Sequence, residues 1–375
     1  MASVLQRRSD PGFVKLEGKM AKTIWQGAIP GAAAHAGSAG GGKAFHRGAA
    51  DAAEGRSTPP PQTSVANDGL ARLRTRAKKA LTIQLKLPAE LPLTRLTPSS
   101  VPGFFNAAVM PPLRSDEIQV VCRHAYYTLD ARGFQVGEPQ LEQVRNSTLR
   151  FRRVATGFEL ADVAALPALD RLEDIRFYEF DGCCCFFAVG FVAPKGEARP
   201  VPVVGRLRRE EGLSAETRVV TQAVGPVEKN WVYFRGRNGL YLEKYPGMSE
   251  VYRVHPQSLG LTYSRTGSAT FSWSGTKSVP VDDGNLFLDH RRVYLIRGGR
   301  TVQRYVYRFR HVPFEGITRH SKPFRVGGET ALVYVSDMAL SADPSRLLLA
   351  ASRDDNSFDL FDLELAQALA MTARR

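Results

Sequence analysis

Long apolar runs are missing from this sequence. The longest nearly unbroken one, residues 183–193, has 11 members and includes a glycine. A membrane-crossing helix needs roughly 20, and the run suits a buried strand better. No apolar segment follows Arg7, Arg8 and Asp10, so the N-terminus does not read as a secretory signal. Cysteine is scarce. Cys122 stands alone, and Cys183, Cys184 and Cys185 are consecutive. Neighbouring strand residues face opposite ways, which puts Cys183 and Cys185 on one face and Cys184 on the other. No disulfide framework and no zinc spacing follows from this pattern. Small buried thiols in a reduced intracellular compartment are expected, with no metal and no cofactor. The sequence also lacks a P-loop, a Gly-x-Ser-x-Gly elbow, a His-Glu-x-x-His helix and a dinucleotide-binding glycine fingerprint. Gly40-Gly41-Gly42-Lys43 lies in low-complexity sequence with no strand before it, and so does not read as a phosphate loop.

What is present begins with charge. The chain carries 51 Lys or Arg against 37 Asp or Glu, a net +14. Residues 1–80 hold 13 of the cations and 5 of the anions. Their dense end, Arg72-Leu73-Arg74-Thr75-Arg76-Ala77-Lys78-Lys79, reads as a solvated linker or as a contact for an acidic partner. No aromatic residue interleaves with it, so no specific nucleic-acid site is expected. Ala, Gly and Ser in residues 1–60 give some transit-peptide character, which Asp10, Glu17, Asp51 and Glu54 oppose. Residues 1–65 show no sustained period, and residues 66–80 suit a short basic helix. Six prolines between residues 88 and 112 then predict an extended arm. The expected division is a disordered basic leader over residues 1–100 and one folded domain over 101–375.

After residue 116 the texture is all-β. Short runs of Val, Ile, Phe and Tyr alternate with Gly, Asp and Asn turn signals. Residues 162–172 are the best internal helix candidate, although Pro167 interrupts them, and residues 363–372 suit a C-terminal helix. Turn signals at Gly133, Gly182, Gly239, Gly284 and Ser345 are separated by 49, 57, 45 and 61 residues. A four-stranded propeller blade takes roughly 40–50 residues plus loops. Five such units predict a five-bladed β-propeller; a β-sandwich would turn more often.

Four segments carry a resemblance. They are residues 121–130 with Arg145-Asn146; Glu173-Asp174-Ile175-Arg176; Glu228-Lys229-Asn230-Trp231; and Trp273-Ser274-Gly275-Thr276 with Leu288-Asp289-His290. Together they resemble a poorly characterised group of five-bladed propeller proteins similar to the glycoside hydrolase and β-mannoside phosphorylase superfamily. The resemblance implies a glycan or sugar-phosphate ligand in an axial pocket, with Asp174 as proton donor. It also implies a lining drawn from Arg123, Arg145, Asn146, Arg176, Glu228, Lys229, Asn230, Trp231 and His290, to which the residues alone add Asp355 near the last blade. Ile175 and Tyr233 stand where the active enzymes of that group carry proline, and no second carboxylate is assigned by the match.

The residues taken by themselves leave alternatives open. Glu173 and Asp174 face opposite ways on a regular strand, whereas Asp174 and Arg176 share a face. That set is either an acid with its cationic partner or an ion-pair staple between blades. Trp231 is either a sugar platform or core filling. Arg123, Arg145 and Asn146 line a site or decorate strand ends, His290 binds or is structural, and Asp355 closes a polar ring or makes a turn. The function expected is therefore carbohydrate binding with cleavage or transfer of a glycosidic bond. The alternatives are a non-catalytic glycan-binding or protein-interaction propeller, and a domain that handles sugar for a glycosyltransferase.

Overall fold

A computed structural model of the chain describes residues 87–136, 143–192, 199–208, 213–220, 230–244, 250–266, 273–297, 299–328 and 331–373. The expectations for residues 1–86, and for Glu228 and Lys229, lie outside them. The described residues form five antiparallel blades. Blade I comprises β3 (Phe104–Val109), β4 (Glu117–His124), β7 (Asn146–Val154) and β8 (Gly157–Ala165), with the small hairpin β5 (Thr128–Leu129) and β6 (Gln135–Val136) inserted after β4. Blade II is β9 (Glu173–Phe180), β10 (Cys183–Val192), β11 (Arg199–Arg208) and β12 (Ser214–Val219). Blade III is β13 (Val232–Gly236), β14 (Gly239–Glu243), β15 (Glu250–His255) and β16 (Gly260–Thr266). Blade IV is β17 (Ser274–Val281), β18 (Gly284–Arg297), β19 (Arg300–Pro313) and β20 (Arg319–His320). Blade V is β21 (Val333–Leu340), β22 (Arg346–Arg353) and β23 (Ser357–Glu364), completed by β1 (Thr94–Arg95) and β2 (Val101–Pro102) from the start of the described chain. The first strands of the blades, β3, β9, β13, β17 and β21, contact one another in a ring and surround the axis.

The apolar residues explain this arrangement. They gather into five clusters, one between each pair of adjacent blades. Phe187, Trp231 and Leu240 join blades II and III. Phe177, Phe186 and Val121 join I and II. Leu149, Phe358 and Leu360 join V and I. A middle strand is therefore covered on both faces and reads as a continuous apolar run, which is why residues 185–190 lack alternation. The strand β18 shows the change within one element. Its first seven residues are buried, and its last seven, beyond the blade, alternate between partly and fully exposed.

Closure comes from the proline-rich arm. Thr94 pairs with Asp362, Arg95 with Phe361 and Val101 with Phe358, so β1 and β2 supply the outer edge of the last blade. Leu91 is buried in the cluster between blades IV and V, and Leu91 N donates to Arg325 O at 2.9 Å. The propeller thus takes in residues ahead of position 101. Gly182, Gly239, Gly284 and Ser345 mark the turn between the first and second strand of blades II to V. Gly133 does not. It sits in the inserted β5–β6 hairpin, because the first turn of blade I is made by Pro111 to Asp116 without glycine.

Residues 162–172 form no helix. Strand β8 runs to Ala165, and only Pro167–Leu169 coil into a 3-10 turn. Residues 162–165 pair with β7 instead, and beyond them the Asn146 Nδ2 donates to Leu169 O at 2.6 Å and Leu172 O at 3.0 Å and braces the connection. The C-terminal expectation fares better, with α1 spanning Leu365–Ala373.

Candidate functional site

A cavity of about 480 Å³ lies on the axis at the end where the first strands begin. Every blade contributes to it: Asn106 from β3, Glu173 and Asp174 from β9, Asn230 ahead of β13, Ser274 from β17 and Tyr334 from β21. Tyr126, Tyr127, Gln135, His290, Arg291, Arg292, Tyr305 and Asp355 complete most of the wall.

The inner strands reach this mouth through a shared irregularity. Asn106, Asp174 and Asn230 all have positive φ, at 50°, 50° and 62°. Bulges interrupt β3 after Phe105, β9 beside Val189, β17 after Gly275 and β21 after Val335. Asn and Asp tolerate this left-handed conformation better than other side-chain-bearing residues, and a bulge turns a side chain away from its regular face. The effect on blade II is direct. Glu173 and Asp174 both line the cavity, while Arg176 is buried behind the wall. This reverses what regular alternation predicts for the three.

The acidic groups of the wall differ in setting. Glu173 is buried against Arg123, 2.5 Å away, and accepts a hydrogen bond from the Tyr126 hydroxyl. Arg123 in turn lies over the Phe105 ring at 4.3 Å. That pair is a staple between blades I and II. Asp174 is half-buried, and its Oδ1 accepts from Asn106 Nδ2 at 2.8 Å. Asp355, also half-buried, accepts from the Tyr127 hydroxyl at 2.7 Å. Burial raises the Asp355 pKa and the Asp174 charge adds to the rise, while the Tyr127 hydrogen bond and the guanidinium groups of Arg123 and Arg292 oppose it. Two carboxyl groups that sense one another therefore face the same space, one of them with increased proton affinity.

Arg176 Nη2 donates to Asn230 Oδ1 at 2.9 Å and to the Tyr334 hydroxyl at 3.2 Å, and its Nη1 donates to Trp231 O at 3.3 Å. It positions two wall residues rather than entering the cavity. His290 is 6% exposed, and its Nδ1 lies 2.7 Å from Thr276 Oγ1. Burial, aided by Arg176 and Arg292, lowers its pKa from 6.5 to about 3 against the pull of Asp174, so the ring is neutral at physiological pH.

The folded chain thus resists protonating a group that the unfolded chain protonates readily. Stability associated with His290 is fully present above about pH 6.5 and declines as pH falls toward 3, by at most about 1.4 kcal/mol per pH unit. Urea midpoints at about pH 7.5 and about pH 5 are expected to fall less for His290→Gln than for the unsubstituted chain. Equal falls would show that His290 is not the group responsible.

The sequence matches no protein-family model and no curated protein. In structure the chain is similar to a β-1,2-mannobiose phosphorylase from Listeria innocua, with TM-score 0.48, 11% identity, and coverage of 73% of this chain and 92% of that one. It is similar to MPT-1, a GDP-Man-dependent mannosyltransferase from Leishmania mexicana (0.47, 12%, 78% and 93%). A glycosyl hydrolase from Bacteroides ovatus gives 0.45, 11%, 76% and 92%.

Among the residues singled out in the sequence, Arg123, Asp174, Asn230, His290 and Asp355 meet at the cavity. Arg145, Asn146, Arg176 and Trp231 do not line it. Arg145 is exposed, with its Nε 3.6 Å from Asp170, and Asn146 braces the 3-10 turn described above. Trp231 is fully buried between Phe187 and Tyr252, with ring centroids 6.1 and 5.7 Å away and planes within 8° of parallel. Its faces are covered by protein. Asn106, the tyrosines Tyr126, Tyr127, Tyr305 and Tyr334, and the arginines Arg291 and Arg292 were not anticipated. Asn106 carried one usable signal, a turn-prone residue inside the strand sequence Phe104–Val109. Arg291 and Arg292 carried none, since they sit on a hairpin extension whose length only the structure reveals.

Proposed function

We propose that the axial cavity binds a glycan or sugar phosphate and that Asp174 acts as general acid in cleaving or transferring a glycosidic bond. The observation that carries this reading is the pair Asp174 and Asp355 in one cavity contributed by all five blades. Glycosidic cleavage uses two carboxyl groups with different protonation tasks, and their environments must push their proton affinities apart. Asn106, Asn230 and Gln135 offer the amide donors and acceptors that sugar hydroxyls need, and half-buried tyrosines offer apolar ring faces beside them. The volume falls within the range of small-ligand sites. Arg291 and Arg292 at the rim suit a phosphate or another anionic substituent. The raised proton affinity of Asp355 favours a second assignment, with Asp355 as donor and Asp174 as its ionised partner.

A thermal-shift screen of mono- and oligosaccharides, free and phosphorylated, tests the reading when paired with chromatography of the products. A sugar that stabilises the chain and its Asp174→Asn and Asp355→Asn variants, and is consumed only by the unsubstituted chain, is the expected result. Turnover by the variant that has lost the acid should fall by about 10²-fold or more, and an added leaving group that needs no protonation should rescue that variant alone. Stabilisation without turnover would leave a glycan-binding propeller. No response to any sugar would sink the carbohydrate reading and favour a protein-interaction scaffold.

A further inference from the structure

A second cavity, of about 490 Å³, opens at the end of β9 away from Asp174. Its wall includes Glu179, Cys183, Cys184, Arg206, Arg208 and Gln257. Of the four cysteines, Cys122 and Cys185 are fully buried, while Cys183 and Cys184 are half-buried in this wall. The two accessible thiols have different neighbours. Cys185 and Arg206 are directly opposite across β10 and β11, which places Cys183, two residues from Cys185, on the Arg206 face. Arg206 lines the cavity with Cys183, and the Gln257 amide joins them, accepting from Arg206 Nη1 at 2.6 Å and donating to the Cys183 sulfur at 3.7 Å. Cys184 instead lies opposite Leu207 on one side and Glu179 on the other. A cation beside an accessible sulfur is the setting in which thiols attack disulfides, and a carboxylate beside one is not.

We propose that Cys183 forms a mixed disulfide with small disulfides that carry carboxylates, seated in this cavity against Arg206 and Arg208. The Cys183 thiolate attacks one sulfur of the incoming disulfide. The old S–S bond breaks as the new one forms, and the departing thiolate takes a proton from water. The incoming disulfide is the oxidant. Glu216 accepts from Arg206 at 2.6 Å and from Arg208 at 2.8 Å and offsets part of their charge, but both guanidinium groups keep further donors. Cys185 shares the Cys183 face but is fully buried, which pushes its pKa up to about 12, and Cys184 faces the other way along the strand. The adduct therefore persists until an external thiol removes it.

Glutathione disulfide is the probe. Incubated with the full chain under non-denaturing conditions, it is expected to add one glutathionyl group, mapped by peptide mass to Cys183 and removed by dithiothreitol. Cys184→Ser keeps the adduct and Cys183→Ser abolishes it. The order of reaction rates separates a built site from mere exposure. Glutathione disulfide should react at least about fivefold faster than neutral bis(2-hydroxyethyl) disulfide, with cationic cystamine slowest of the three. Arg206→Met should level that order. An adduct on Cys184, no adduct, or equal rates on the unsubstituted chain would each overturn the proposal, and the last two need no variant to fold.

Discussion

A chain that starts at residue 103 is expected to lose most of its stability relative to one that starts at residue 87. The shorter chain lacks β1, β2 and Leu91. Leu91 and Val101 are 5% and 7% exposed, and full burial of side chains of this size is worth about 1.5–3 kcal/mol each. The outer ladder of blade V goes with them, including Leu96 N to Leu360 O at 2.8 Å and the Arg95–Asp359 ion pair. Phe158 N, which donates to Leu96 O at 2.8 Å from blade I, is left without its acceptor. A total near 5 kcal/mol rivals the whole stability of a typical domain. The uncovered edge of β23 would also invite pairing with other chains. Urea unfolding and light scattering of the two chains measure both effects. Equal midpoints for the two would show that β1 and β2 decorate the last blade rather than close the ring.

The second large effect is expected at Arg310. It is fully buried, with its Nε 3.0 Å from Asp289 Oδ2, its Nη2 2.9 Å from Glu243 Oε2 and its guanidinium 4.0 Å above the Phe287 ring. Asp289 is also fully buried and holds Arg308 at 3.2 Å. These charges link blade III to blade IV. Among the described residues that interface has the smallest apolar cluster of the five, built on Val232, Phe234, Val251 and Phe287. Arg310→Met removes the cation from beside two buried carboxylates, Asp289 and Glu243. Breaking such a set from one side costs about 3–5 kcal/mol, whereas exchanging both partners for apolar residues often costs little. Arg310→Met is thus expected to be strongly destabilising, and Arg310→Met with Glu243→Leu less so. A double variant as unstable as the sum of its parts would show that Arg310 and Glu243 are not energetically coupled.

Blade number was legible because four of the five blades carry a turn signal between their first and second strands. Gly182, Gly239, Gly284 and Ser345 fall at one topological place, and only blade I, whose first turn uses prolines, had its marker misplaced onto an insertion. The candidate site was legible in part. Asp174, Asn230 and His290 were singled out through a resemblance and Asp355 through its place near the last blade, none of them through periodicity. Periodicity failed at Asp174 for a physical reason. The alternation rule assumes extended backbone, and Asp174, at φ 50°, steps out of it. Trp231 stayed open in the sequence between sugar platform and core filling, because nothing in a linear pattern tells a ring sandwiched between Phe187 and Tyr252 from one that faces a cavity.

The pairing of Thr94 with Asp362 joins positions 268 residues apart in the chain, which makes the ring's seam a matter of timing. At roughly 5–20 residues per second of synthesis, residue 94 waits about 13–54 s for its partner to emerge. The free-energy cost of so long a loop rises only logarithmically, so the delay is chiefly one of order: four blades are complete before the seam can form. Until blade V emerges, the faces of blades I and IV that it covers, and Leu91 of the arm, have nothing to close against. A growing chain of this protein therefore carries its most exposed apolar edge at both ends at once, and sealing either end seals the other.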